Sequence, residues 1–134
     1  MSTPLGNFLR DELERRGWTQ AELSRASGVG TSGLSSIVSG KTRLPEPETI
    51  RAIARALDIE GARLTALLGY PVDVGAYADR YIEINQRLDG APWLVERLPD
   101  LLRLTADQFR EAIAYLDFRS QIHLRNANRS TPTD

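Results

Sequence analysis

Residues 18–41 place the strongest constraint on the fold, because they combine a helix-starting motif with two glycines at helix-ending positions. Thr19 and Glu22 have the spacing of a capping box, in which each side chain accepts a hydrogen bond from the backbone N–H of the other residue. Gly28 and Gly40 suit the left-handed backbone conformation in which many helices end. The segment therefore predicts two short helices joined by a tight turn.

Similar signals predict further helices on both sides of this pair. Thr3 and Pro4 suit the cap and the first turn of a helix, and Pro47 suits the first turn of another. An apolar stripe at helical spacing follows, at Ile50, Ile53, Ala54 and Leu57. The predicted helices begin at Pro4, Gln20, Thr31, Pro47 and Glu60. We therefore expect residues 1–70 to form a complete five-helix domain.

The second half of the chain is also predicted to be helical. A capping box at Thr105 and Gln108 predicts a last helix from Ala106 to about Asn126. The polar residues 127–134 predict a disordered tail. We therefore expect residues 71–126 to form a small helical region that follows the first domain.

Apolar residues in this second region form a band that is wider than one small core needs. On the last helix, one face carries Phe109, Ile113 and Leu116, and an adjacent face carries Tyr115, Phe118 and Ile122. The surplus predicts that the region holds two copies of the chain together. The predicted homodimer interface consists of Tyr77, Tyr81, Ile84, Leu88, Phe109, Ile113 and Leu116.

Composition excludes several classes of function. The 134 residues include no cysteine and a single histidine, His123, so a cysteine zinc site is excluded and we expect no metal or other cofactor. No metalloprotease motif, phosphate-binding glycine loop or nucleophile elbow is present. The N-terminus lacks a secretory signal pattern, and no apolar run is long enough to span a membrane. These features predict a non-enzymatic, cytoplasmic protein without a membrane partner.

The charge balance gives a mixed indication about nucleic acid. The net charge is −1, and residues 1–70 carry nine Arg and Lys against eight Asp and Glu. Because DNA affinity depends on neutralising phosphates, this balance is a mild argument against strong DNA binding. However, the only lysine of the chain, Lys41, directly follows the predicted third helix. Its position favours a phosphate contact beside that helix.

A set of residues between Leu5 and Gly69 matches the pattern of a known family. The set consists of Gly17-Trp18-Thr19-Gln20, Glu22-Leu23, Gly28-Val29, Leu34, Ile37, Gly40-Lys41, Pro45, Thr49 and the helix from Ala54 to Leu57. Together these residues resemble the Cro/CI-type (Xre-like) helix-turn-helix repressors of bacteria and phages. The resemblance implies an all-α, lambda repressor-like domain of five helices that binds duplex DNA, as a dimer on pseudo-palindromic operators.

A helix-turn-helix repressor places the second helix of the pair in the major groove, while the first helix contacts the DNA backbone. The candidate base-facing residues are Thr31, Ser32, Ser35 and Ser36. The candidate phosphate-contacting residues are Thr19, Gln20, Ser39, Lys41 and Arg43. Among these, Gln20 resembles the family's phosphate-contacting glutamine, and Thr31, Ser32 and Ser36 resemble its base-reading positions.

The predicted recognition helix lacks the side chains that usually distinguish bases, because the side chains on its outward face are all hydroxyls. It has no Arg or Lys that could pair with guanine and no Asn or Gln that could pair with adenine. Gly33 lies inside this helix, where glycine costs about 1 kcal/mol relative to alanine. We interpret this as a close approach of the helix backbone to the groove. Specificity would then depend on water bridges and DNA shape.

These observations predict a sequence-specific transcriptional regulator, in the simplest case a repressor, that binds duplex DNA as a homodimer. An alternative is a protein-interaction module, such as an antitoxin or adaptor, whose C-terminal half binds a partner protein. The nearly neutral first half and the acidic second half favour this alternative. The salt dependence of DNA binding distinguishes the two hypotheses.

Overall fold

The computed structural model describes residues 2–70 and 73–130, and these residues are predominantly helical. The α-helices are α1 (Pro4–Arg16), α2 (Gln20–Ser27), α3 (Thr31–Ser39), α4 (Pro47–Leu57), α5 (Gly61–Leu67), α6 (Val74–Asn85), α7 (Leu98–Arg103) and α8 (Ala106–Ser130). A short 3-10 helix (Pro92–Arg97) lies between α6 and α7. The described residues contain no strand, and the predicted all-α fold class is confirmed.

The helix caps that the sequence predicts are present. Thr19 Oγ1 accepts a hydrogen bond from the Glu22 N–H at 3.1 Å, and Glu22 Oε2 accepts one from the Thr19 N–H at 3.2 Å. Thr105 and Gln108 form the same reciprocal pair at 3.2 and 3.0 Å. Gly28 ends α2 with a φ of 81°, a left-handed value that favours glycine. Local sequence therefore determines where these helices begin and end.

Helix α4 lies at the centre of the packing, where α2, α5 and α6 contact it. The predicted apolar stripe of α4 is buried, and Ile50, Ile53 and Leu57 are fully inaccessible to solvent. Burying a side chain of this size contributes about 1.5–3 kcal/mol relative to leaving it exposed. The amphipathic pattern of α4 therefore accounts for a large part of the core of the first five helices.

Gly6 allows α1 to approach the C-terminal end of α3 closely. A Cβ atom at Gly6 would lie 2.5 Å from the Val38 carbonyl oxygen, which is closer than such atoms pack. Arg10 Nη2 donates a hydrogen bond to the same carbonyl oxygen at 3.4 Å. Helix α1 therefore supports α3 from the side that faces the core.

The two predicted regions share one hydrophobic core. Helix α6 packs against α4 and α5, and its Tyr77 and Ile84 side chains are fully buried. A Cβ atom at Gly61 in α5 would overlap the Val74 side chain of α6, so these helices approach each other closely. The boundary predicted at residue 70 therefore does not separate two independently packed cores.

Arg80 is a buried cation that joins α6 to the helices that follow. Its guanidinium lies 4.5 Å from the ring centre of Tyr70 and 4.6 Å from that of Phe109. Arg80 Nη1 donates hydrogen bonds to the carbonyl oxygens of Leu101 and Leu102, at 3.0 and 3.4 Å. Aromatic faces and carbonyls near the C-terminal end of a helix both stabilise a positive charge. Arg80 therefore connects α6, α7 and α8 at one point.

Two elements of the second half differ from the sequence interpretation. The 4-3-4 spacing of Tyr77, Tyr81, Ile84 and Leu88 predicts that all four lie on one helix. Helix α6 ends at Asn85, however, so Leu88 lies in the turn after it. The sequence also predicts that Pro99 interrupts a short apolar helix that starts near Trp93. In the structure Pro99 lies in the first turn of α7, where its missing N–H is not needed. In both cases the apolar pattern does not mark the helix boundary.

Helix α8 extends beyond its predicted end at Asn126 to Ser130. Residues 127–130, which the sequence assigned to a disordered tail, are helical, and they contain no glycine or proline that would end the helix. Residues 131–134 lie outside the described residues. Although α8 is the longest helix, no helix in the described segments is both long and apolar enough to cross a bilayer.

Several predicted interface residues lie inside the chain's own core. Tyr77 and Ile84 are fully buried, and Phe109 is 8% exposed. Helices of the same chain already cover these three side chains, so they do not face a second copy, contrary to the prediction. Helical spacing indicates that a side chain is buried but not which surface covers it. The other four predicted interface residues are half-buried: Tyr81, Leu88, Ile113 and Leu116.

Candidate nucleic-acid interface

Helices α2 and α3 are joined by a turn that satisfies its own polar groups. Ser24 Oγ donates a hydrogen bond to the Val29 carbonyl oxygen at 2.5 Å, and the Val29 N–H donates one to Ser27 Oγ at 3.1 Å. Leu23 of α2 and Leu34 of α3 are fully buried beneath the turn. The two helices therefore form a defined pair that can present one of them to another molecule.

Helix α3 exposes one face and buries the opposite one. Thr31, Ser32 and Ser35 are exposed, and Ser36 is half-buried at the edge of the exposed face. The buried face consists of Leu34, Ile37 and Val38. The predicted base-facing residues therefore share the side of α3 that points away from the core, where a helix could enter a major groove.

Gly33 lies on this exposed face, and nothing inside the chain requires a glycine there. A Cβ atom at Gly33 would meet only Val29 Cγ1, at 3.7 Å, which is an ordinary van der Waals contact. Glycine in a helix interior costs about 1 kcal/mol relative to alanine. The absence of an internal reason within the described residues favours an external one, namely the close approach of another molecule to the helix backbone.

The start of α2 presents two of the predicted phosphate contacts. Thr19 is exposed, and its Oγ1 atom accepts the capping bond from Glu22, so the hydroxyl proton remains able to donate. Gln20, the first residue of α2, is half-buried. The N-terminal end of a helix carries a partial positive charge that favours an anion at this position.

The three predicted phosphate contacts at the end of α3 and just after it have different environments: Ser39, Lys41 and Arg43. Ser39 is exposed and its Oγ donates to the Ser36 carbonyl oxygen at 3.3 Å, while Lys41 is exposed. The Arg43 side chain is 28% exposed, and its Nη1 lies 3.9 Å from Glu96 Oε2 in the 3-10 helix. Lys41 is thus open to a phosphate, whereas Arg43 would have to leave a carboxylate to bind one.

The loop that carries Lys41 and Arg43 is held in place by α6. The buried Tyr77 hydroxyl donates a hydrogen bond of 2.7 Å to the Pro45 carbonyl oxygen. Burial raises the pKa of Tyr77 far above its ordinary value of 10.0, with a smaller contribution from Tyr81, so the hydroxyl keeps its proton at neutral pH. The second half of the chain therefore positions the loop that follows α3.

The arginines near the end of α1 are engaged within the protein. Arg15 and Arg16 both bond to Glu12, and Arg16 Nη2 also donates to the Leu57 carbonyl oxygen at 2.7 Å. The hydrogen bond from Arg15 lowers the pKa of Glu12, although burial opposes the change. Arg16 therefore connects α1 to α4, while Arg15 pairs with a carboxylate of its own helix, and the two cations do not form a free basic patch.

Two residues that position α3 and the loop after it are only weakly indicated by the sequence. Gly6 sets the approach of α1 to α3, and a glycine inside a predicted helix was the only available indication. Tyr77 holds the loop at Pro45, but its helical spacing predicted only that it is apolar and buried.

Within the described residues, no group of His, Asp and Glu side chains could hold a metal ion.

Comparison with known proteins supports the interpretation of the first half. Residues 9–64 match a family model described as Helix-turn-helix. The chain is 39% identical over 69 residues to the HTH-type transcriptional repressor RghR of Bacillus subtilis (strain 168), which covers 52% of this chain and 51% of the relative. It is 32% identical over 68 residues to the Uncharacterized HTH-type transcriptional regulator RghRB of the same organism, covering 51% and 49%.

The chain therefore spans about half the length of the curated relatives that it matches. No solved structure matches the chain.

Proposed function

Because residues 9–64 belong to the Cro/CI type of the helix-turn-helix family, we propose that the protein is a sequence-specific DNA-binding transcriptional regulator. We further propose that it acts in the cytoplasm as a repressor. The observation that carries the proposal is the exposed hydroxyl face of α3, which lies beside the open cation Lys41 and opposite a buried apolar face.

In the proposed complex, α3 enters the major groove and its hydroxyls and Gly33 face the base edges. Thr19 and Gln20 approach a phosphate at the start of α2, and Lys41 binds a phosphate beside the groove. Single hydroxyls discriminate less than the roughly 1–3 kcal/mol of a bidentate pair, so water bridges and DNA shape supply much of the specificity. The relative named a transcriptional repressor supports this role for the N-terminal half.

We propose that two copies bind a pseudo-palindromic operator. One domain of this size contacts only a few base pairs, and linking two domains raises the overall affinity through their effective concentration. The apolar side chains that the second half leaves exposed support a role in holding the copies together; they include Ile82, Trp93, Tyr115, Phe118 and Ile122.

The first test is capture of genomic fragments by the purified full-length chain, followed by sequencing. The recovered fragments should share a two-fold symmetric site. Strong guanine positions dominating each half-site would contradict the hydroxyl-based reading, because no residue of α3 can form a bidentate pair with guanine.

The second test is the salt dependence of binding to a recovered site. The logarithm of the affinity should fall steeply with the logarithm of the salt concentration, and Lys41→Ala should reduce this slope by about one unit. Arg110→Ala is a matched control, because Arg110 is an exposed cation on α8. If DNA binding is absent or independent of salt, the alternative of a partner protein bound by the C-terminal half is favoured.

A further inference from the structure

Helix α8 carries two apolar faces that lie on nearly opposite sides of the helix, and not on adjacent sides as the sequence interpretation had them. The inner face, Phe109, Ile113 and Leu116, points toward the body of the same chain and is buried or half-buried. The outer face consists of Tyr115, Phe118 and Ile122, with exposed fractions of 59%, 57% and 38%. At about 100° per residue, the two faces are separated by roughly half a turn. The chain's own packing therefore cannot explain the outer face.

Charged residues extend the outer face at both ends with the spacing of a helix pair. Glu111, Tyr115, Phe118, Ile122 and Arg125 follow a 4-3-4-3 pattern, which keeps one seam facing a partner helix. We call these five residues the outer stripe. Glu111 and Arg125 are both exposed, and no ion pair involves either of them among the described residues. The stripe therefore begins with an acid, ends with a base and is apolar between them.

We propose that the outer stripe binds the outer stripe of a second copy of this chain, with the two α8 helices antiparallel about a two-fold axis beside Phe118. This orientation places Glu111 opposite Arg125 of the second copy, and Tyr115 opposite Ile122 of the second copy. A parallel pair would place Glu111 beside Glu111 and Arg125 beside Arg125, which is repulsive. Charge complementarity therefore favours a second copy of this chain as the partner and the antiparallel orientation of the two helices. The inference rests on the proposed homodimer and defines how it assembles.

The size of the outer stripe indicates a reversible dimer. From Glu111 to Arg125 the stripe is about 21 Å long at a rise of about 1.5 Å per residue. A pair of helices in contact over this length buries less than the roughly 1,200 Å² of a standard stable interface. We therefore expect monomers and dimers to exchange, and the dimer fraction to rise with protein concentration.

Charge substitution at the two ends tests the orientation, measured by sedimentation equilibrium of the full chain over a range of concentrations. Glu111→Arg and Arg125→Glu should each raise the dimer dissociation constant about tenfold, because each turns two attractive pairs into two repulsive ones. The double variant E111R/R125E should restore the wild-type constant within about twofold. A double variant no better than the single ones, or a wild-type chain that stays monomeric at all concentrations, would overturn the proposal.

Disulfide crosslinking gives a second readout that does not depend on charge, because the chain has no cysteine. Phe118→Cys should crosslink with itself under oxidation, since position 118 lies at the two-fold axis. Tyr115→Cys should not, since the two copies of position 115 are offset by about 9 Å along the helices, beyond the reach of a disulfide. Equal crosslinking at both positions would indicate a parallel pair and overturn the proposal.

Both measurements are made without DNA, so their failure is distinct from failure of the proposed function. If the chain binds its operator but its charge variants dimerise like the wild type, the proposed function stands and the proposed interface is wrong. If the chain forms the antiparallel dimer but binds no DNA, the proposed interface stands and the proposed function is wrong. Circular dichroism of each variant confirms that the exposed substitutions leave the helices intact.

Discussion

Single residues of this chain have roles that depend on what surrounds them. Gly33 lies on the exposed face of α3 with no neighbour that excludes a side chain, whereas Gly6 lies against the Val38 carbonyl and has no room for one. The sequence shows both only as glycines inside helices. Gly6 is therefore explained by packing, and Gly33 by the molecule that α3 is proposed to contact.

Replacing Gly33 with alanine should separate stability from binding. Gly33→Ala should raise the free energy of unfolding by up to about 1 kcal/mol, because alanine is the better helix former and its Cβ meets no obstacle. The same variant should weaken operator binding, because the added methyl group holds the backbone away from the groove. Urea titration and fluorescence anisotropy measure the two effects. Gly90→Ala, at another unobstructed glycine, should leave DNA affinity unchanged; equal affinities for all three proteins would argue against close approach at Gly33.

Removing the Tyr77 hydroxyl should leave the buried Pro45 carbonyl without its donor. Tyr77→Phe should lower the free energy of unfolding by about 1–3 kcal/mol, the cost of an unsatisfied buried polar group. Tyr115→Phe, at a position exposed in the single chain, is the control; at a protein concentration too low for dimers it should change stability by less than about 0.5 kcal/mol.

The stability contributed by Tyr77 should also depend on alkaline pH. Because burial raises its pKa in the folded state, the contribution is fully present below the ordinary value of 10.0 and is lost as the pH rises from there toward the folded-state pKa. Urea titrations between pH 8 and about 11 should therefore show a smaller alkaline loss for Tyr77→Phe than for the wild type. Parallel losses would show that another group governs this pH range.

Among the helices, α8 depends on a small number of contacts for its position. Arg87, in the turn after α6, makes two hydrogen bonds to Asp117 of α8, at 2.7 and 2.9 Å, and Arg80 stacks on Phe109 nearer the start of α8. The Arg87 hydrogen bond lowers the pKa of Asp117 below its ordinary value of 3.8, although burial opposes the change. The Arg87–Asp117 pair therefore stabilises the folded state fully above pH 3.8. This stabilisation is lost as the pH falls through the folded-state pKa of Asp117.

Substitution of Asp117 should loosen α8 without unfolding the chain. Asp117→Asn removes the charge that Arg87 binds, and the cost to global stability should stay below about 1 kcal/mol because both side chains are partly exposed. Amide hydrogen exchange should become faster in the middle of α8 and remain unchanged in α4. Asp107→Asn, at an exposed carboxylate in the first turn of α8, is the control. Unchanged exchange in α8 would show that the Arg87–Asp117 pair does not hold the helix.

For the whole molecule, the second half completes the core on which the first half depends. Tyr77 and Ile84 fill space against α4 and α5, and Tyr77 also fixes the loop after α3. The second half therefore contributes to the packing of the first, in addition to the role in dimerisation that we propose for it.

Removing everything after residue 70 should consequently destabilise the first five helices. A fragment of residues 1–70 exposes the surfaces of α4 and α5 that α6 covers, and losing two large buried side chains alone should cost about 3–6 kcal/mol. We expect a lower midpoint of urea unfolding than for the full chain, measured by circular dichroism. A fragment as stable as the full chain would show instead that the two halves are energetically independent.

Local chemistry in the sequence determined the order and most of the bounds of the helices, because caps, left-handed glycines and apolar spacing act within one or two turns. It also identified the exposed hydroxyl face of α3, since the buried residues of a short amphipathic helix define its opposite side. Only the tertiary structure decided which surface covers each apolar face. It buried Phe109 within the chain and left Phe118 exposed, although both lie on one helix, because burial depends on the partner surface and that partner is distant in sequence.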